Sequence, residues 1–122
     1  MDLTEQKNTT DKEPAVRFNN VSMRYLTKQG ITHALQDINF TVNKGDFIAI
    51  VGPSGCGKST ILSLISGLIK PSDGEIYVCG KGINEKDNQN VGYMLQHDHL
   101  FPWCSVWDNV MLGLKIKRLV SK

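Results

Sequence analysis

The fold is decided by residues 47–60, which read Phe47-Ile48-Ala49-Ile50-Val51-Gly52-Pro53-Ser54-Gly55-Cys56-Gly57-Lys58-Ser59-Thr60. An apolar run leads directly into the pattern G-x-x-x-x-G-K-S, and apolar residues at helical spacing follow it. Apolar residues without alternation are typical of a central strand that is covered on both faces. The sequence therefore predicts a buried strand over 46–51, a glycine-rich turn and a helix that begins near Lys58.

The chemistry of this turn indicates a site for phosphate groups. Backbone N–H groups that point into a turn form a cradle for anions, and Gly52, Gly55 and Gly57 let that backbone approach a ligand closely. The first turn of the following helix adds unpaired N–H donors and the positive end of the helix dipole. The pattern is that of a P-loop, which binds a nucleoside triphosphate.

The side chains of the loop have separate predicted roles. Lys58 is expected to reach the β and γ phosphates, and the Ser59 hydroxyl suits a Mg²⁺ ion. Thr60 can donate toward the α phosphate, and Cys56 is interpreted as a small residue in a variable position. The predicted nucleotide-binding residues are Gly52, Pro53, Ser54, Gly55, Cys56, Gly57, Lys58, Ser59 and Thr60.

Composition limits the class of protein. The chain has 122 residues and a formal net charge of +2, which does not indicate a nucleic-acid-binding surface. Residues 1–14 are polar and are expected to form a disordered lead-in without a secretory signal. No apolar run approaches the roughly 20 residues needed to cross a bilayer. Three widely spaced cysteines, Cys56, Cys79 and Cys104, fit a reducing compartment.

Apolar periodicity places the other elements. Alternation changes phase at Asn19-Asn20, which predicts a strand interrupted by a bulge or tight turn. Ser105-Val106-Trp107-Asp108 predicts a capping box that opens a last helix. Further strands are expected at 38–42, 75–79 and 91–95, and loops at 26–32 and 80–90.

Several further motifs occur in an order that resembles the ATP-binding subunit of ABC transporters. They are residues 16–25, Ala34-Leu35-Gln36-Asp37-Ile38, Lys44-Gly45-Asp46-Phe47, Gly67-Leu68, Pro71, Asp73-Gly74-Glu75-Ile76 and Gln96. The resemblance covers about residues 15–115. It implies an α/β fold with a P-loop NTPase core and an antiparallel β subdomain on its N-terminal side, truncated before the helical subdomain. Residues 15–122 would then form a partial ATP-binding domain.

The resemblance also assigns ATP and Mg²⁺ as cofactors and gives two more residues roles. Tyr25 matches the aromatic residue that stacks on adenine, and a flat ring can cover the π face of a base. Gln96 matches the glutamine of the Q-loop, which touches Mg²⁺ and the region of the attacking water. From the residues alone, Tyr25 could be an ordinary core tyrosine at a strand end, and Gln96 could be a surface residue.

The segment Leu100-Phe101-Pro102-Trp103 is similar to importers of nitrate, sulfonates and taurine. The resemblance implies a subunit that couples MgATP binding and hydrolysis to solute uptake, with a permease and a second ATP-binding subunit as partners and no nucleic acid. Its location would be cytoplasmic, peripheral on the inner face of the cell membrane. Phe101 and Trp103 would contact the permease, or they would pack against the next subdomain.

Parts of the family pattern are absent from the sequence. There is no Leu-Ser-Gly-Gly-Gln signature, and no second apolar strand ends in an Asp-Glu pair. No complete catalytic set is therefore expected, because the carboxylates that hold Mg²⁺ and activate water are missing. We expect a fragment that binds nucleotide but hydrolyses it poorly, so whether it is an enzyme by itself stays open.

Two rival functions are a soluble P-loop kinase or GTPase, and an ABC-family module that works away from a transporter. Asn84-Glu85-Lys86-Asp87 does not match the guanine motif N-K-x-D. A metal site at His97, His99 and Cys104 would lack a fourth ligand at any usual zinc spacing.

Overall fold

The computed structural model describes residues 13–83, 91–97 and 99–120. The described residues up to Gly92 form one compact unit, and those from Tyr93 onward form a second. The elements are β1 (Val16–Thr27), β2 (Gly30–Val42), α1 (Lys58–Ile65), β3 (Asp73–Val78), β4 (Lys81–Gly82) and α2 (Val106–Val120). Most of the predicted lead-in, most of the predicted loop 80–90, the Asn84–Asp87 pattern and Asp98 lie outside the described residues.

The first unit is built on an antiparallel sheet with the strand order β2-β1-β3-β4. This confirms the antiparallel β structure expected on the N-terminal side of the fold. The predicted loop over 26–32 is wrong, because Leu26 pairs with Ile31 and the strands continue to a tight turn before Gly30. Gly30 has a φ of +124°, a conformation that glycine adopts without strain. Polar residues persist in these strands because an antiparallel hairpin can face water.

The predicted interruption at Asn19-Asn20 is confirmed as a β-bulge. Phe18 lies opposite Phe40 and Val21 lies opposite Ile38, so β1 carries one residue more than β2 over this stretch. Asn20 has a φ of +47°, in the left-handed region that asparagine tolerates better than most residues. The extra residue explains the change of phase, since it returns Val21 to the buried face.

A second bulge lies on β2, where Asp37 has a φ of +46°. Asn39 connects the two bulges. Its side-chain Oδ1 accepts a hydrogen bond from the Asn20 N–H at 2.8 Å, and its Nδ2 donates to Asn20 Oδ1 at 2.9 Å and to the Asp37 carbonyl at 3.1 Å. One amide side chain thus holds both left-handed residues in place.

Replacing this amide is expected to destabilise the hairpin. Asn39→Ala should lower the free energy of unfolding by about 1–2 kcal/mol, since it removes three hydrogen bonds that are exposed to solvent. Chemical denaturation measures the change, and Asn43→Ala, at an exposed position just after β2, is the control. Equal losses in the two variants would show that the bridge adds nothing.

The core lies between this sheet and α1. Its buried residues are Phe18, Val21, Met23, Leu35, Leu64, Ile76 and Val78. The predicted apolar stripe is confirmed in part: Leu64 is buried and Ile61 and Ile65 pack against the core, whereas Leu62 is exposed. Leu68, which the sequence also places on this stripe, lies beyond the end of α1 and is exposed. The helix that follows the glycine-rich turn is therefore fixed to the sheet by a single face.

Two predicted strands are not formed. Residues 46–51 and 91–95 do not form strands, and Phe47 is 96% exposed. An apolar run becomes a strand only when a neighbouring strand forms hydrogen bonds with its backbone N–H and C=O groups. In the part of the chain that the structure describes, β1 to β4 pair only with one another, so these two runs lack the partners that the prediction assumed.

Candidate nucleotide-binding site

The predicted helix start at Lys58 is confirmed, and the loop before it is shaped by glycine. Gly57 is the N-cap of α1 with a φ of +97°, and Gly55 has a φ of +79°. Among the residues that the structure describes, no side chain caps the helix. The N–H groups of its first turn are therefore left for solvent or for an anion, and the helix dipole favours an anion there.

The Lys58 side chain folds back over its own loop. Its Nζ donates hydrogen bonds to the carbonyl oxygens of Gly52 at 2.5 Å and Pro53 at 2.7 Å, and it lies 3.5 Å from Cys56 Sγ. An ammonium group has three donors, and a thiol sulfur is a weak acceptor. A positive charge is thus held within the loop, with one donor available for a stronger acceptor such as a phosphate oxygen.

A close contact with backbone requires glycine at position 57, whereas position 52 is crowded only by a side chain. A Cβ at Gly57 would lie 2.8 Å from both the Ala34 carbonyl oxygen and Leu35 Cδ2, and one at Gly52 would lie 2.7 Å from Cys56 Sγ. A Cβ at Gly55 would meet no atom of the described part of the chain within 4 Å. The loop thus combines bare backbone at its glycines with the positive charge of Lys58, which are features that phosphate binding requires. Its binding of a phosphate chain stays a prediction.

Tyr25 lies near the end of the β1–β2 hairpin, opposite Thr32. It is 38% exposed and does not belong to the buried cluster, which favours a surface role over that of an ordinary core tyrosine. The strand is held in place beside Tyr25 by two contacts of Arg24. Its guanidinium forms an ion pair with Asp73 at 2.5 Å, and its backbone N–H donates a hydrogen bond to Ser72 Oγ at 3.0 Å. The Tyr25 ring is accessible, and its role toward adenine stays a prediction.

Gln96 belongs to the second unit and is exposed, beside an open cavity that His97 and His99 also line. The two imidazole rings lie edge to face with centroids 6.2 Å apart. Within the described ranges, no three side chains of histidine, cysteine, aspartate or glutamate come together as metal ligands would. The expected contact of Gln96 with Mg²⁺ stays a prediction.

An asparagine that the sequence analysis did not assign a role organises the segment after Gln96. Asn109 Oδ1 accepts a hydrogen bond from the Phe101 N–H at 2.9 Å, and its Nδ2 donates to the carbonyls of Ser105 at 3.0 Å and Phe101 at 3.2 Å. The rings of Phe101 and Trp103 lie 4.9 Å apart, and Trp103 is 77% exposed. The sequence offers one indication of this role. An amide side chain in the first turn of a predicted helix can form hydrogen bonds with backbone groups that precede the helix.

The predicted capping box is confirmed. The Asp108 N–H donates to Ser105 Oγ at 3.1 Å, and the Ser105 hydroxyl donates to Asp108 Oδ2 at 2.7 Å. Lys115, two turns further along α2, forms an ion pair with the same carboxylate. The hydrogen bonds from Lys115 and Ser105 hold the pKa of Asp108 below its ordinary value.

This carboxylate gives the start of α2 a dependence on pH. Because its pKa is lowered in the folded state, its stabilising effect is fully present above the ordinary value of 3.8 and is lost as the pH falls through the lowered pKa. The ¹³C shift of the Asp108 carboxyl carbon should titrate below pH 3.8. In Lys115→Gln the midpoint should rise, and an unchanged midpoint would contradict the assigned cause.

Comparison with known proteins identifies the class. The sequence model of the ABC transporter family matches residues 35–122. The chain belongs to the ABC transporter family.

Two curated ATP-binding proteins are similar in sequence to this chain. The uncharacterized ABC transporter ATP-binding protein YtlC of Bacillus subtilis is 52% identical over 83% of this chain and 38% of its own length. The taurine import ATP-binding protein TauB of Pelagibacter ubique is 42% identical over 81% of this chain and 37% of its own length. The chain thus spans less than half the length of these relatives.

A solved structure agrees with the sequence relatives. The dimeric ATP-binding cassette MJ0796 bound to ADP and Pi has a TM-score of 0.77 and 34% identity, over 84% of this chain and 47% of that chain. The likeness confirms the predicted class of fold. Neither described helix is long and apolar enough to pass through a bilayer.

Proposed function

We propose that the chain is the nucleotide-binding part of an ABC importer subunit that couples MgATP binding and hydrolysis to solute uptake. The observation that carries this proposal is the P-loop, where Lys58 lies over the carbonyls of Gly52 and Pro53 and Gly57 opens an uncapped helix. The names of relatives support the solute class, since they include aliphatic sulfonate and taurine import proteins. The proposed cargo is nitrate or a sulfonate- or taurine-like anion.

ATP would bind with its triphosphate in the loop and its base at Tyr25. Backbone N–H groups and the α1 dipole attract the phosphates, and Lys58 supplies a mobile positive charge. Ser59, exposed in the first turn of α1, offers a hydroxyl oxygen of the kind that Mg²⁺ accepts together with phosphate oxygens and water. Gln96 is proposed as a second group near the ion. Bound Mg²⁺ would neutralise part of the phosphate charge.

The proposed partners are a membrane permease and a second ATP-binding subunit. The exposed pair Phe101 and Trp103 supports the first, because aromatic side chains anchor protein interfaces. The dimeric state of the MJ0796 cassette supports the second. The subunit would lie in the cytoplasm on the inner face of the cell membrane.

Substitution of Tyr25 tests this function. Tyr25→Ala should weaken MgATP binding about tenfold, because a stacked base contributes about 1–3 kcal/mol. Binding of magnesium tripolyphosphate, which has no base, should not change. Calorimetric titration of both ligands gives the two affinities.

Two variants serve as controls for Tyr25. Tyr25→Phe keeps the ring and should keep the affinity for MgATP, and Leu26→Ala changes an exposed neighbour on the same strand. If Tyr25→Ala binds MgATP as tightly as the unsubstituted chain, the base does not lie on Tyr25. If the unsubstituted chain binds neither ligand, the proposal of a nucleotide site is wrong.

A further inference from the structure

The irregularity of β2 nearest the phosphate loop is at Ala34. Met23 lies opposite Leu35, and the next residue of β1, Arg24, lies opposite His33. Ala34 therefore has no partner on β1, and the strand carries an extra residue there. Such a bulge bends the strand and redirects its backbone, and bulges are over-represented next to active sites.

The redirected backbone meets the P-loop at its last glycine. The Ala34 carbonyl oxygen and Leu35 Cδ2 each lie 2.8 Å from the point where a Cβ of Gly57 would be. Leu35 is only 5% exposed and belongs to the same buried cluster as Leu64 of α1. Gly57, the N-cap of α1, thus packs against the bulge. The packed core leaves the loop no room to move toward β2.

The same part of the sheet carries Tyr25. This residue follows Met23 by two positions on β1, and Met23 is the partner of Leu35. The strand pair that supports the phosphate loop at Gly57 therefore also holds the proposed base-stacking side chain. The base and the triphosphate of one nucleotide are joined by a ribose of fixed size, so both can bind only if their two sites are correctly spaced.

We propose that Ala34 and Leu35 form a positioning element that sets the distance between Tyr25 and the phosphate loop. This inference rests on the proposed function. The Leu35 side chain would not touch the nucleotide. It acts through Gly57, by holding the loop where a triphosphate can bind while its base lies on Tyr25.

Leu35→Ala separates this role from general support of the fold. Its affinity for MgATP should fall about tenfold, which is the contribution of one stacked base, while its affinity for magnesium tripolyphosphate should stay within about twofold. The separate variant Leu35→Met keeps a similar side-chain volume and should bind MgATP as tightly as the unsubstituted chain. If Leu35→Ala does not fold, Leu35→Val takes its place. It should also lose affinity for MgATP and keep its affinity for tripolyphosphate, but the loss should be smaller.

Ile76→Ala is the matched control, since Ile76 is buried in the same cluster but lies on β3. It should lose stability while its ratio of MgATP to tripolyphosphate affinity stays that of the unsubstituted chain. Equal losses of both ligands in the Leu35 variants, or no loss of MgATP in any of them, would overturn the positioning role and leave the nucleotide site intact. An unsubstituted chain that binds neither ligand would overturn the proposed function as well.

Discussion

Lys58→Ala is expected to weaken MgATP binding about 100-fold. One hydrogen bond from a charged donor to a phosphate oxygen is worth up to about 3 kcal/mol, which corresponds to that factor. Lys58 is suited to this role because its Nζ already lies over the loop, bonded to the carbonyls of Gly52 and Pro53. Calorimetric titration measures the affinity, and tripolyphosphate binding should fall by a similar factor because both ligands use the same charge.

Lys70→Ala is the matched control for charge, since Lys70 is exposed and follows α1 outside the loop. It removes one positive charge and should change MgATP affinity by less than about twofold at physiological ionic strength, where exposed charges are screened beyond roughly 8 Å. Equal losses in the two variants would mean that Lys58 acts only through net charge. The loop would then not hold the phosphates in the way we propose.

Gly57→Ala should have the largest effect on the structure of the site. An alanine at a φ of +97° costs about 1–2 kcal/mol, and the overlap of its Cβ with the Ala34 carbonyl and Leu35 costs about 1–3 kcal/mol more. The sum is a large part of the stability of a small domain. We therefore expect a clear loss of unfolding free energy together with loss of MgATP binding.

Gly45→Ala separates the two costs. Gly45 has a φ of +90°, but no atom of the described residues lies within 4 Å of the position of its Cβ. It should lose only the backbone part, about 1–2 kcal/mol, and keep MgATP affinity. If Gly57→Ala and Gly45→Ala unfold at the same denaturant concentration, the contact between Gly57 and the Ala34 bulge does not contribute to stability.

The features that the sequence predicted correctly are those encoded by neighbouring residues. The start of α1 at Lys58 follows from glycine before a run of apolar residues at helical spacing, and the Ser105 capping box follows from one hydroxyl and one carboxylate three residues apart. The bulge at Asn19-Asn20 was visible as a change of phase. In each case the physical cause lies within a few residues of the effect.

The features that were missed depend on residues far apart in the chain. The runs 46–51 and 91–95 are apolar enough for strands, but a parallel pair draws its partners from distant sequence, and the described sheet does not pair with them. The bulge at Ala34 has no signal of its own, because alanine fits a regular strand as well as a bulge. Its contact with Gly57 joins positions 23 residues apart, which local patterns do not encode.

The most direct test of the nucleotide site is a titration of the ¹⁵N-labelled chain with MgATP, followed through its backbone amide resonances. We expect saturable shifts at the backbone amides of residue 52 and of residues 54–60, because phosphate groups bound in the loop would accept hydrogen bonds from N–H groups of this segment. Gly113, within α2 of the second unit, serves as the internal reference. If the amides of residues 52 and 54–60 do not respond to MgATP at any concentration, or shift only as much as Gly113, the proposed nucleotide site is wrong.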